Sequence, residues 1–286
     1  MKKTLRLLRV KHYVKNILVV FPMFFGGVLF DAARWLYAAL GFISFCALSS
    51  AVYIINDISD VKKDRLHPEK KNRPIASGEV SEKNAVIIAA ICLVVSAVFF
   101  FSIPKTGGQT VDAGYAATLL LVYLAVNIAY SRGLKDIAIL DVVILASGYV
   151  IRVYFGGLIT GVAVSDWLFL VITAGALYMG FGKRWGELIR GSDTRAVLKS
   201  YTEGFLNASM SLMMGLTIVF YALWARDISE KRMIFSVPFF IVIMLRYSMA
   251  SEKKADGDPV EVILSDVPLM VLLAVYGLGC GLLLYL

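Results

Sequence analysis

The chain has few of the residues on which many soluble enzymes depend. Its 286 residues include three cysteines and two histidines, and only 17% are Asp, Glu, Lys or Arg. Cys46, Cys92 and Cys280 lie in apolar segments, without paired spacing and without a neighbouring histidine. We therefore expect buried small side chains rather than a disulfide framework or a zinc site. Two histidines also give little support to a histidine base or to a Ser-His-Asp nucleophile.

Several patterns that define other classes of protein are also missing from the sequence. The chain has no Gly-rich phosphate loop of the nucleotide-binding type, no low-complexity tract, no repeat at a fixed period and no linker long enough to separate domains. We therefore expect a single membrane domain over residues 1–286.

Apolar residues are what the chain has in excess. Hydrophobic residues make up 59% of it and the mean hydropathy is +0.75, far from the usage of soluble domains. Most of the apolar stretches approach the roughly 20 residues that a helix needs to cross a hydrocarbon core. They lie at roughly 14–30, 35–55, 84–103, 113–130, 138–158, 166–182, 205–224, 233–248 and 267–286. The sequence therefore predicts an all-α polytopic membrane protein with about nine transmembrane helices.

Basic residues are concentrated on one side of the predicted membrane. Most of the 29 Lys and Arg residues fall in the N-terminal arm and in loops 56–83, 130–137, 183–204 and 246–266. By the positive-inside rule these segments face the cytoplasm. We expect a protein of the cell (inner) membrane with a cytoplasmic N-terminus and its chemistry at the cytoplasmic face. The basic residues behind the net charge of +8 are then expected to bind lipid headgroups or anionic substrates. The charge gives no reason to expect binding of nucleic acid.

An acidic run closes the second apolar stretch. Asp57, Asp60 and Asp64 are spaced i, i+3 and i+7, so on a helix they share one face, with Asn56 one turn before Asp60. Three carboxylates this close repel each other unless a cation lies among them. Oxygen ligands in this number, beside a basic loop, suit Mg²⁺ that holds the phosphates of a substrate. The competing interpretation is a solvated helix end next to basic residues.

A basic loop follows the acidic run. Pro68 and Pro74 prevent a continuous helix there, so the segment can fold over a bound ligand. We expect its longer basic side chains to donate to phosphate oxygens. The candidates are Arg65, Lys70 and Arg73. The alternative is the ordinary charge of a cytoplasmic loop, which is the better account of the other lysines in this segment.

A second polar set begins with Tyr130 and Lys135 and continues into the fifth apolar stretch. Asp141 and Arg152 follow at i and i+11, which places them on one helical face. An arginine within a membrane span costs about 2.5–3.5 kcal/mol and usually marks a functional site. A separation of about 11 residues puts the two ~16 Å apart along the axis, so a direct ion pair is disfavoured. We expect both side chains to face one cavity and to meet a ligand there.

Two further sets of residues have two interpretations each. Lys183 and Arg184 end the sixth apolar stretch, with Glu187 one turn after Lys183. They bind a terminal phosphate, or they stop the helix from sliding inward. Lys15 and Asn16 open the first stretch, where they bind substrate or anchor the segment at the membrane interface.

The acidic run resembles a known motif. The pattern Asn56-Asp57-x-x-Asp60-x-x-x-Asp64-Arg65 is similar to the first aspartate-rich motif of the UbiA-type intramembrane prenyltransferase superfamily. The resemblance implies nine helices around a central cavity that opens at the cytoplasmic side. It also implies that the motif binds Mg²⁺ and a diphosphate.

Other segments narrow the resemblance to one branch of the superfamily. Members that act on aromatic acceptors commonly carry a second motif, Asp-x-x-x-Asp, whereas Asp136 and Asp141 here are separated by four residues. The segments that carry the likeness are Tyr13-Val-Lys15-Asn16, His67-Pro68, Arg73-Pro-Ile-Ala-Ser-Gly78 and Asp256-Gly-Asp258-Pro. The branch transfers a 5-phosphoribosyl group from phosphoribosyl diphosphate to a polyprenyl (decaprenyl-like) phosphate and releases diphosphate, in the synthesis of cell-envelope glycan precursors.

The resemblance also implies roles for the candidate residues. Mg²⁺ held by Asp57, Asp60 and Asp64 would neutralise the leaving diphosphate. Asp57, Asp60 and Asp141 would be catalytic, with Asp141 on the ribose hydroxyls or a metal and Arg152 steering the acceptor phosphate. The expected substrate-binding residues are Lys15, Asn16, Asn56, Arg65, Lys70, Arg73, Tyr130, Lys135, Arg152, Lys183 and Arg184. The acceptor phosphate is already ionised near neutral pH, so a general base is not required.

Two other functions remain open from the sequence. An aromatic prenyltransferase would use the same fold and first motif with a polyprenyl diphosphate donor. A transporter would use the intramembrane charges of Asp141 and Arg152 as an ion or substrate path, although repeats are missing and the acidic residues crowd at one face. The oligomeric state is also open, and a homo-oligomer is compatible with the sequence.

Overall fold

The computed structural model describes residues 2–67, 70–104, 112–191, 196–253 and 258–286. Every element of regular structure in these ranges is helical, so the all-α prediction is confirmed. The α-helices are α1 (Lys2–Leu7), α2 (Phe21–Phe25), α3 (Ala32–Ser59), α4 (Val61–Leu66), α5 (Glu82–Phe101), α6 (Ala113–Ser131), α7 (Leu140–Thr160), α8 (Asp166–Ile189), α9 (Glu203–Asp227), α10 (Val237–Lys253), α11 (Pro259–Ser265) and α12 (Val267–Tyr285). Pro68 and Asp256, which the sequence interpretation used, lie outside the described residues.

Short 3₁₀ helices connect several of these elements. They are Val10–Val19, Lys70–Asn72, Leu134–Asp136, Ala196–Ser200 and Ser229–Ser236. Most of the long helices start at a side chain that accepts a hydrogen bond from a backbone N–H of the first turn, which satisfies a donor that the helix itself leaves unpaired. These caps are Asp31, Ser81, Asp112, Ser165, Thr202, Asp258 and Asp266.

Seven helices among the described residues are long and apolar enough to cross a membrane. They are Ala32–Ser59, Glu82–Phe101, Ala113–Ser131, Leu140–Thr160, Glu203–Asp227, Arg232–Lys253 and Val267–Tyr285. The first predicted stretch forms the Val10–Val19 3₁₀ helix and the short α2 instead of one long helix. Helix α8 has 24 residues but carries an acid at its start and two basic residues near its end, which lowers its hydropathy. The expected count of nine transmembrane helices is therefore not confirmed.

The chain forms two compact units, and α7 contributes to both. Unit 1 comprises Met1–Ile137 and Ile151–Ala163, and unit 2 comprises Ala138–Val150 and Val164–Leu286. Asp141 therefore belongs to unit 2, while Arg152, on the same helix, belongs to unit 1. The single domain expected from the sequence stays a prediction.

Unit 1 is built around α3, which packs against α5, α6 and the first 3₁₀ helix. The buried rings of Phe45, Tyr123 and Phe155 meet in its core, with ring centroids 4.9 and 5.5 Å from that of Phe45. Gly156 of α7 lies so close to the carbonyl of Val19 that an added Cβ would come within 2.0 Å of the oxygen. Glycine at this position therefore lets α7 touch the backbone of the 3₁₀ helix.

A second core of unit 1 joins the N-terminal arm (residues 2–19) to the loop after α4. Leu7 of the arm, Ile54 of α3, Val61 of α4 and Ile75 of the loop are buried together. Burial of these side chains in one cluster fixes the arm and the loop against the end of α3. This core positions the charged residues described below.

Unit 2 is organised by the packing of α8 against α9. Its core contains Val142 of α7, Tyr178 of α8, and Leu206 and Met210 of α9. Gly180 of α8 faces Val142, where an added Cβ would lie 2.6 Å from the valine side chain. The start of α7 therefore packs closely on the middle of α8.

Candidate active site

Asp57 is the centre of the acidic run. It lies in the last turn of α3 with only 3% of its surface exposed. One carboxylate oxygen, Oδ1, accepts hydrogen bonds from Arg9 at 2.5 Å and from Arg73 at 3.0 Å. A buried carboxylate needs such partners because removing its charge from water is costly.

Asp64 shares one of these partners. The same Nη1 atom of Arg73 that donates to Asp57 also donates to Oδ2 of Asp64 at 2.7 Å. Asp57 and Asp64 therefore converge on a single positively charged nitrogen, as their i, i+7 spacing predicts. The guanidinium of Arg73 occupies the position that a divalent cation held by the two carboxylates would take. If Arg73 moved away, the carboxylate oxygens of Asp57 and Asp64 would be suitable ligands for a hard cation.

Asp60 has a different environment. The helix is interrupted at this residue, where α3 ends and α4 begins, although the backbone bonds from Asp60 to Asn56 and from Asp64 to Asp60 continue the helical pattern. The Asp60 carboxylate is paired with the ammonium of Lys135. The side-chain oxygen of Asn56 accepts a hydrogen bond from Ser131 at 3.0 Å. The end of α3 is thus tied to the segment after α6.

The three predicted metal ligands are not brought to one point. Asp57 and Asp64 share Arg73, whereas Asp60 contacts Lys135. Within the described ranges, no group of three or more His, Cys, Asp or Glu side chains is arranged to hold a metal ion. The set of three ligands stays a prediction, and the structure directly brings together two of its members.

Arg9 is a residue that the sequence analysis left out. Its guanidinium donates to Asp57 and lies 4.9 Å from the ring centroid of Tyr53, which precedes Asp57 by one turn on α3. Its backbone is left-handed, with φ 53° and ψ 46°, a conformation that costs a residue with a Cβ on the order of 1–3 kcal/mol. The strained turn lies between α1 and the first 3₁₀ helix, at the residue whose side chain reaches the acidic run.

Arg6 links the N-terminal arm to the basic loop. It donates to the backbone oxygen of Asn72 at 2.5 Å and lies 3.5 Å from the carboxylate of Glu79. The hydroxyl of Ser50 donates to the backbone oxygen of Leu8 at 2.9 Å, which ties the same arm to α3. Arm, loop and helix end therefore form one side of the candidate site.

The other predicted phosphate-binding residues of unit 1 are placed as follows. Arg65 is exposed, with its Nε 3.4 Å from the oxygen of Ala76. Lys70 is half-buried, and its backbone N–H donates to the His67 ring at 3.3 Å. Lys15 is half-buried and Tyr130 is buried. Their binding roles stay predictions.

A second buried cation lies within unit 1. Arg152 is 4% exposed, and its Nε donates to the side-chain oxygen of Asn16 at 2.7 Å. Its Nη2 donates to the hydroxyl of Tyr123 at 3.1 Å, and the guanidinium lies 4.8 Å from the ring centroid of Phe45. These contacts join the first 3₁₀ helix, α3, α6 and α7. The sequence identified Arg152 and Asn16 as candidates but did not predict that they bond to each other.

Unit 2 holds a separate carboxylate–arginine cluster. Asp141 and Arg184 are fully buried, with Nε of Arg184 2.5 Å from Oδ2 of Asp141. Arg184 also donates to Glu187 at 2.6 Å, and Tyr201 donates to the other oxygen of Asp141 at 2.6 Å. The neighbouring Lys183 is half-buried. The partner of Asp141 is therefore Arg184, from α8, and its expected contact with a ligand stays a prediction.

Tyr201 connects this cluster to a strained turn. Ile139 has φ 69°, which is left-handed and unfavourable for a β-branched residue, and its backbone N–H donates to the Tyr201 hydroxyl at 2.6 Å. Burial, and then the hydrogen bond to Asp141, raise the pKa of Tyr201 to about 12. The hydroxyl therefore keeps its proton near neutral pH and donates a hydrogen bond to Asp141.

The fold and the acidic run together define a class of protein: a helical integral membrane protein with clustered carboxylates and arginines where its helices end. The sequence matches the profile of the UbiA prenyltransferase family over residues 19–265. The chain belongs to this family, and the recognition made from the acidic run is confirmed.

Two curated relatives resemble nearly the whole chain. A decaprenyl-phosphate phosphoribosyltransferase from Corynebacterium glutamicum is 33% identical over 283 residues, which cover 94% of this chain and 82% of the relative. A decaprenyl-phosphate phosphoribosyltransferase from Mycolicibacterium smegmatis is 34% identical over 292 residues, which cover 94% of this chain and 88% of the relative.

Solved structures share the fold. A UbiA homolog from Archaeoglobus fulgidus, bound to GPP and Mg²⁺, superimposes with a TM-score of 0.74 at 20% identity and covers 99% of both chains. A digeranylgeranylglyceryl phosphate synthase superimposes with a TM-score of 0.65 at 17% identity, covering 100% of this chain and 99% of the other. At such identities the likeness shows the helical fold, which agrees with the fold class expected from the motif.

Proposed function

We propose that the protein transfers a 5-phosphoribosyl group from phosphoribosyl diphosphate to a polyprenyl phosphate and releases diphosphate. In this reaction an oxygen of the lipid phosphate forms a bond to the anomeric carbon, while the bond from that carbon to the diphosphate breaks. The names of the curated relatives, which match over 94% of this chain, support the donor and the acceptor. A decaprenyl-like acceptor and a role in cell-envelope glycan precursors belong to the same proposal.

The observation that carries the proposal is the shared position of Arg73 between Asp57 and Asp64. Two carboxylates that converge on one positive nitrogen provide oxygen ligands for a divalent cation, for which we propose Mg²⁺. When bound there, the cation supplies charge that neutralises the leaving diphosphate. The Mg²⁺ in the Archaeoglobus fulgidus homolog of the same fold is consistent with this choice.

The residues around the run are suited to binding a strongly anionic donor. Asp57, Asp60 and Asp64 are already matched by the positive charges of Arg9, Arg73 and Lys135. A cation bound at the carboxylates therefore leaves Arg73 and Lys135 available for phosphate oxygens, which they bind with charge-assisted hydrogen bonds. Arg65 and Lys70 add positive charge from the loop. Such positioning and charge complementarity account for most of the catalysis that phosphoryl-bearing leaving groups require.

The remaining candidates have supporting roles in the proposal. Arg152 orients the first 3₁₀ helix, and with it Lys15, through its bond to Asn16. Asp141 acts by holding Arg184 and Tyr201 in place, since its carboxylate oxygens already accept from both. Lys183, next to Arg184, keeps its proposed role in phosphate binding.

The membrane orientation completes the proposal. The excess of basic residues in the loops that carry the acidic run supports a cytoplasmic N-terminus and a cytoplasmic active site in the inner membrane. Phosphoribosyl diphosphate is a soluble and highly charged metabolite, so its binding site must face an aqueous compartment that contains it. Protease protection of a C-terminal tag in sealed inverted vesicles tests this orientation.

The direct test incubates the purified protein with Mg²⁺, labelled phosphoribosyl diphosphate and a short polyprenyl phosphate, and follows the label into the lipid phase. We expect transfer that EDTA abolishes and that added Mg²⁺ restores. A parallel incubation replaces the donor by a labelled prenyl diphosphate and the acceptor by 4-hydroxybenzoate. Prenylation there, without phosphoribosyl transfer, would overturn the proposal in favour of an aromatic prenyltransferase.

A further inference from the structure

We propose that Arg9 is a donor-binding residue that alternates between two anions: the carboxylate of Asp57 in the metal-free protein and a phosphate of the donor in the loaded protein. The inference rests on the proposed function, since it requires a cation at Asp57 and an anionic donor beside it. It adds a residue outside the acidic run and the basic loop.

The first argument is the competition for Asp57. Oδ1 of Asp57 accepts from both Arg9 and Arg73. A metal ion that takes this oxygen displaces both donors from it, because two guanidinium groups and a divalent cation cannot share one carboxylate oxygen. An ion that also takes Asp64 displaces Arg73 from its second carboxylate as well. The guanidinium of Arg9 donates to Asp57, so it needs a new acceptor when the ion takes that oxygen, and a phosphate of the donor supplies one.

The second argument is the way Arg9 is held. The ring of Tyr53, at 4.9 Å, supports the guanidinium independently of the carboxylate. The side chain of Arg9 is 20% exposed, whereas that of Asp57 is 3% exposed. The guanidinium thus lies on the solvent-accessible side of a buried acid, where a phosphate group can reach it. A planar group with several donors is suited to a phosphate in this position.

The third argument is the backbone. Arg9 has the left-handed φ of 53°; the chain is anchored before it by Leu7 in the core and by the Ser50 bond to Leu8, and after it by the bond from Arg152 to Asn16. Anchored segments on both sides of a strained turn persist when the turn places a functional side chain. The rest of the arm can stay fixed while the long side chain of Arg9 changes partner.

The proposal predicts two effects of opposite sign in Arg9→Gln. Removal of a positive charge beside Asp57 strengthens binding of a cation, so Mn²⁺ should bind about 3–10-fold more tightly in the absence of donor. Loss of a charge-assisted hydrogen bond to phosphate should raise the KM for phosphoribosyl diphosphate about 10-fold or more. If Arg9 merely supported the fold, its replacement would weaken both Mn²⁺ binding and donor binding.

The experiment measures Mn²⁺ binding by electron paramagnetic resonance without donor, and then the KM and kcat of transfer. Arg9→Lys keeps the charge without the fork of donors, so it should bind Mn²⁺ as the wild type does and recover only part of the donor affinity. Lys11→Gln is the matched control, because it removes the same charge from an exposed residue two positions after Arg9, in the first 3₁₀ helix. We expect it to leave both quantities near their wild-type values.

The outcomes are distinguishable. If Arg9→Gln and Arg9→Lys both leave Mn²⁺ affinity and donor KM unchanged, or if Arg9→Gln weakens both, the inference is overturned while wild-type transfer still supports the proposed function. If the wild type binds Mn²⁺ but neither binds nor transfers from phosphoribosyl diphosphate, the proposed function fails, and the inference fails with it. If Arg9→Gln does not fold, Arg9→Lys decides: wild-type Mn²⁺ binding with a raised donor KM supports the inference, and an unchanged donor KM overturns it.

Discussion

Two carboxylate–arginine clusters in this protein differ in how far they are closed to solvent. In unit 1, the nearly buried Asp57 is paired with Arg9 and Arg73, whose side chains are 20% and 28% exposed. In unit 2, Asp141 and Arg184 both have side chains with no exposed surface. The first cluster has a buried acid with accessible cations, and the second is sealed on both sides of the ion pair.

The difference in solvent exposure indicates different roles for the two carboxylate–arginine clusters. A partly open pair is weakened by solvent and can exchange its partners for a metal ion and a phosphate. The two residues of a fully buried pair cannot change partners without leaving a charge buried and unpaired, which is strongly unfavourable. We therefore propose that the Asp57 cluster binds ligands and that the Asp141 cluster supports the structure.

The largest expected effect is on activity, from Asp57→Asn. This change removes a ligand charge from the metal site, whose electrostatic contribution is several kcal/mol, so turnover should fall about 1,000-fold or more. Stability should change little because Arg9 and Arg73 can reach water. The transfer assay and thermal unfolding in detergent check the two parts. An Asp57→Asn protein that is folded and retains wild-type turnover would remove Asp57 from the site.

The next effect is on stability, from Asp141→Ala. The change removes the carboxylate of Asp141 from the buried Arg184, which still donates to Glu187, so the free energy of unfolding should fall by about 3 kcal/mol or more. The double change Asp141→Leu with Arg184→Met removes both charges and should recover much of the loss, as apolar replacements of buried ion pairs do. Chemical unfolding in detergent measures the stability of the wild type, of Asp141→Ala and of the double variant. Equal losses in the single and double variants would contradict the sealed-pair account.

Tyr201→Phe sharpens the comparison further. It removes the hydroxyl that accepts from Ile139 and donates to Asp141, so we expect a loss of about 1–3 kcal/mol. The pKa of Tyr201 in the folded protein, about 12, is higher than the ~10 of a free tyrosine. The contribution of the hydroxyl is therefore complete below about pH 10 and is lost as the pH rises through the folded pKa. The difference in stability between wild type and Tyr201→Phe should be constant up to that pH and shrink above it; a constant difference throughout would contradict the assignment.

The smallest expected effect comes from a more exposed ion pair of unit 2. Arg246 donates to both oxygens of Asp266 at 3.0 and 2.8 Å, and the side chains are 27% and 15% exposed. We expect Arg246→Gln to lower the free energy of unfolding less than Asp141→Ala or Tyr201→Phe, because solvent screens this pair. The hydrogen bonds from Arg246 lower the pKa of Asp266, so this stabilisation is present above the unfolded value and is lost as the pH falls through the folded one. Unfolding measured at neutral and at acidic pH checks this, and a loss as large as that of Asp141→Ala would show that exposure is not what separates the clusters.

The sequence predicted that Asp57 and Asp64 lie on one helical face, but it did not predict the partners of the acidic run. The i, i+7 spacing of Asp57 and Asp64 on helical backbone was enough to expect them on one face, because helical periodicity is local. The interruption at Asp60, and its pairing with Lys135, depends on contacts with a segment 75 residues away. No local pattern reports such a contact.

Arg9 and Arg184 show why the rest was missed. Arg9 looked like one more positive charge of an interfacial arm, and only its left-handed backbone and the shared core of arm and loop bring it to Asp57. Arg184 was expected to bind a ligand or to mark the helix end, and its contact with Asp141, 43 residues earlier in the chain, was not predicted. A cluster of charged residues at a helix end has the same sequence pattern whether the side chains are exposed to solvent or buried in the protein. The signal available for Asp141 was its position at the start of an apolar stretch, where an acid needs a partner.

The most direct test of the comparison between the Asp57 and Asp141 clusters is to locate the bound metal ion in a crystal structure. Crystals grown with Mn²⁺ and phosphoribosyl diphosphate would reveal the ion by its anomalous scattering. The account predicts Mn²⁺ bound by Asp57 and Asp64 with Arg73 displaced from between them, and an unchanged Asp141–Arg184 pair. Mn²⁺ bound at Asp141, or a bound donor with Arg73 still between the two carboxylates, would contradict it.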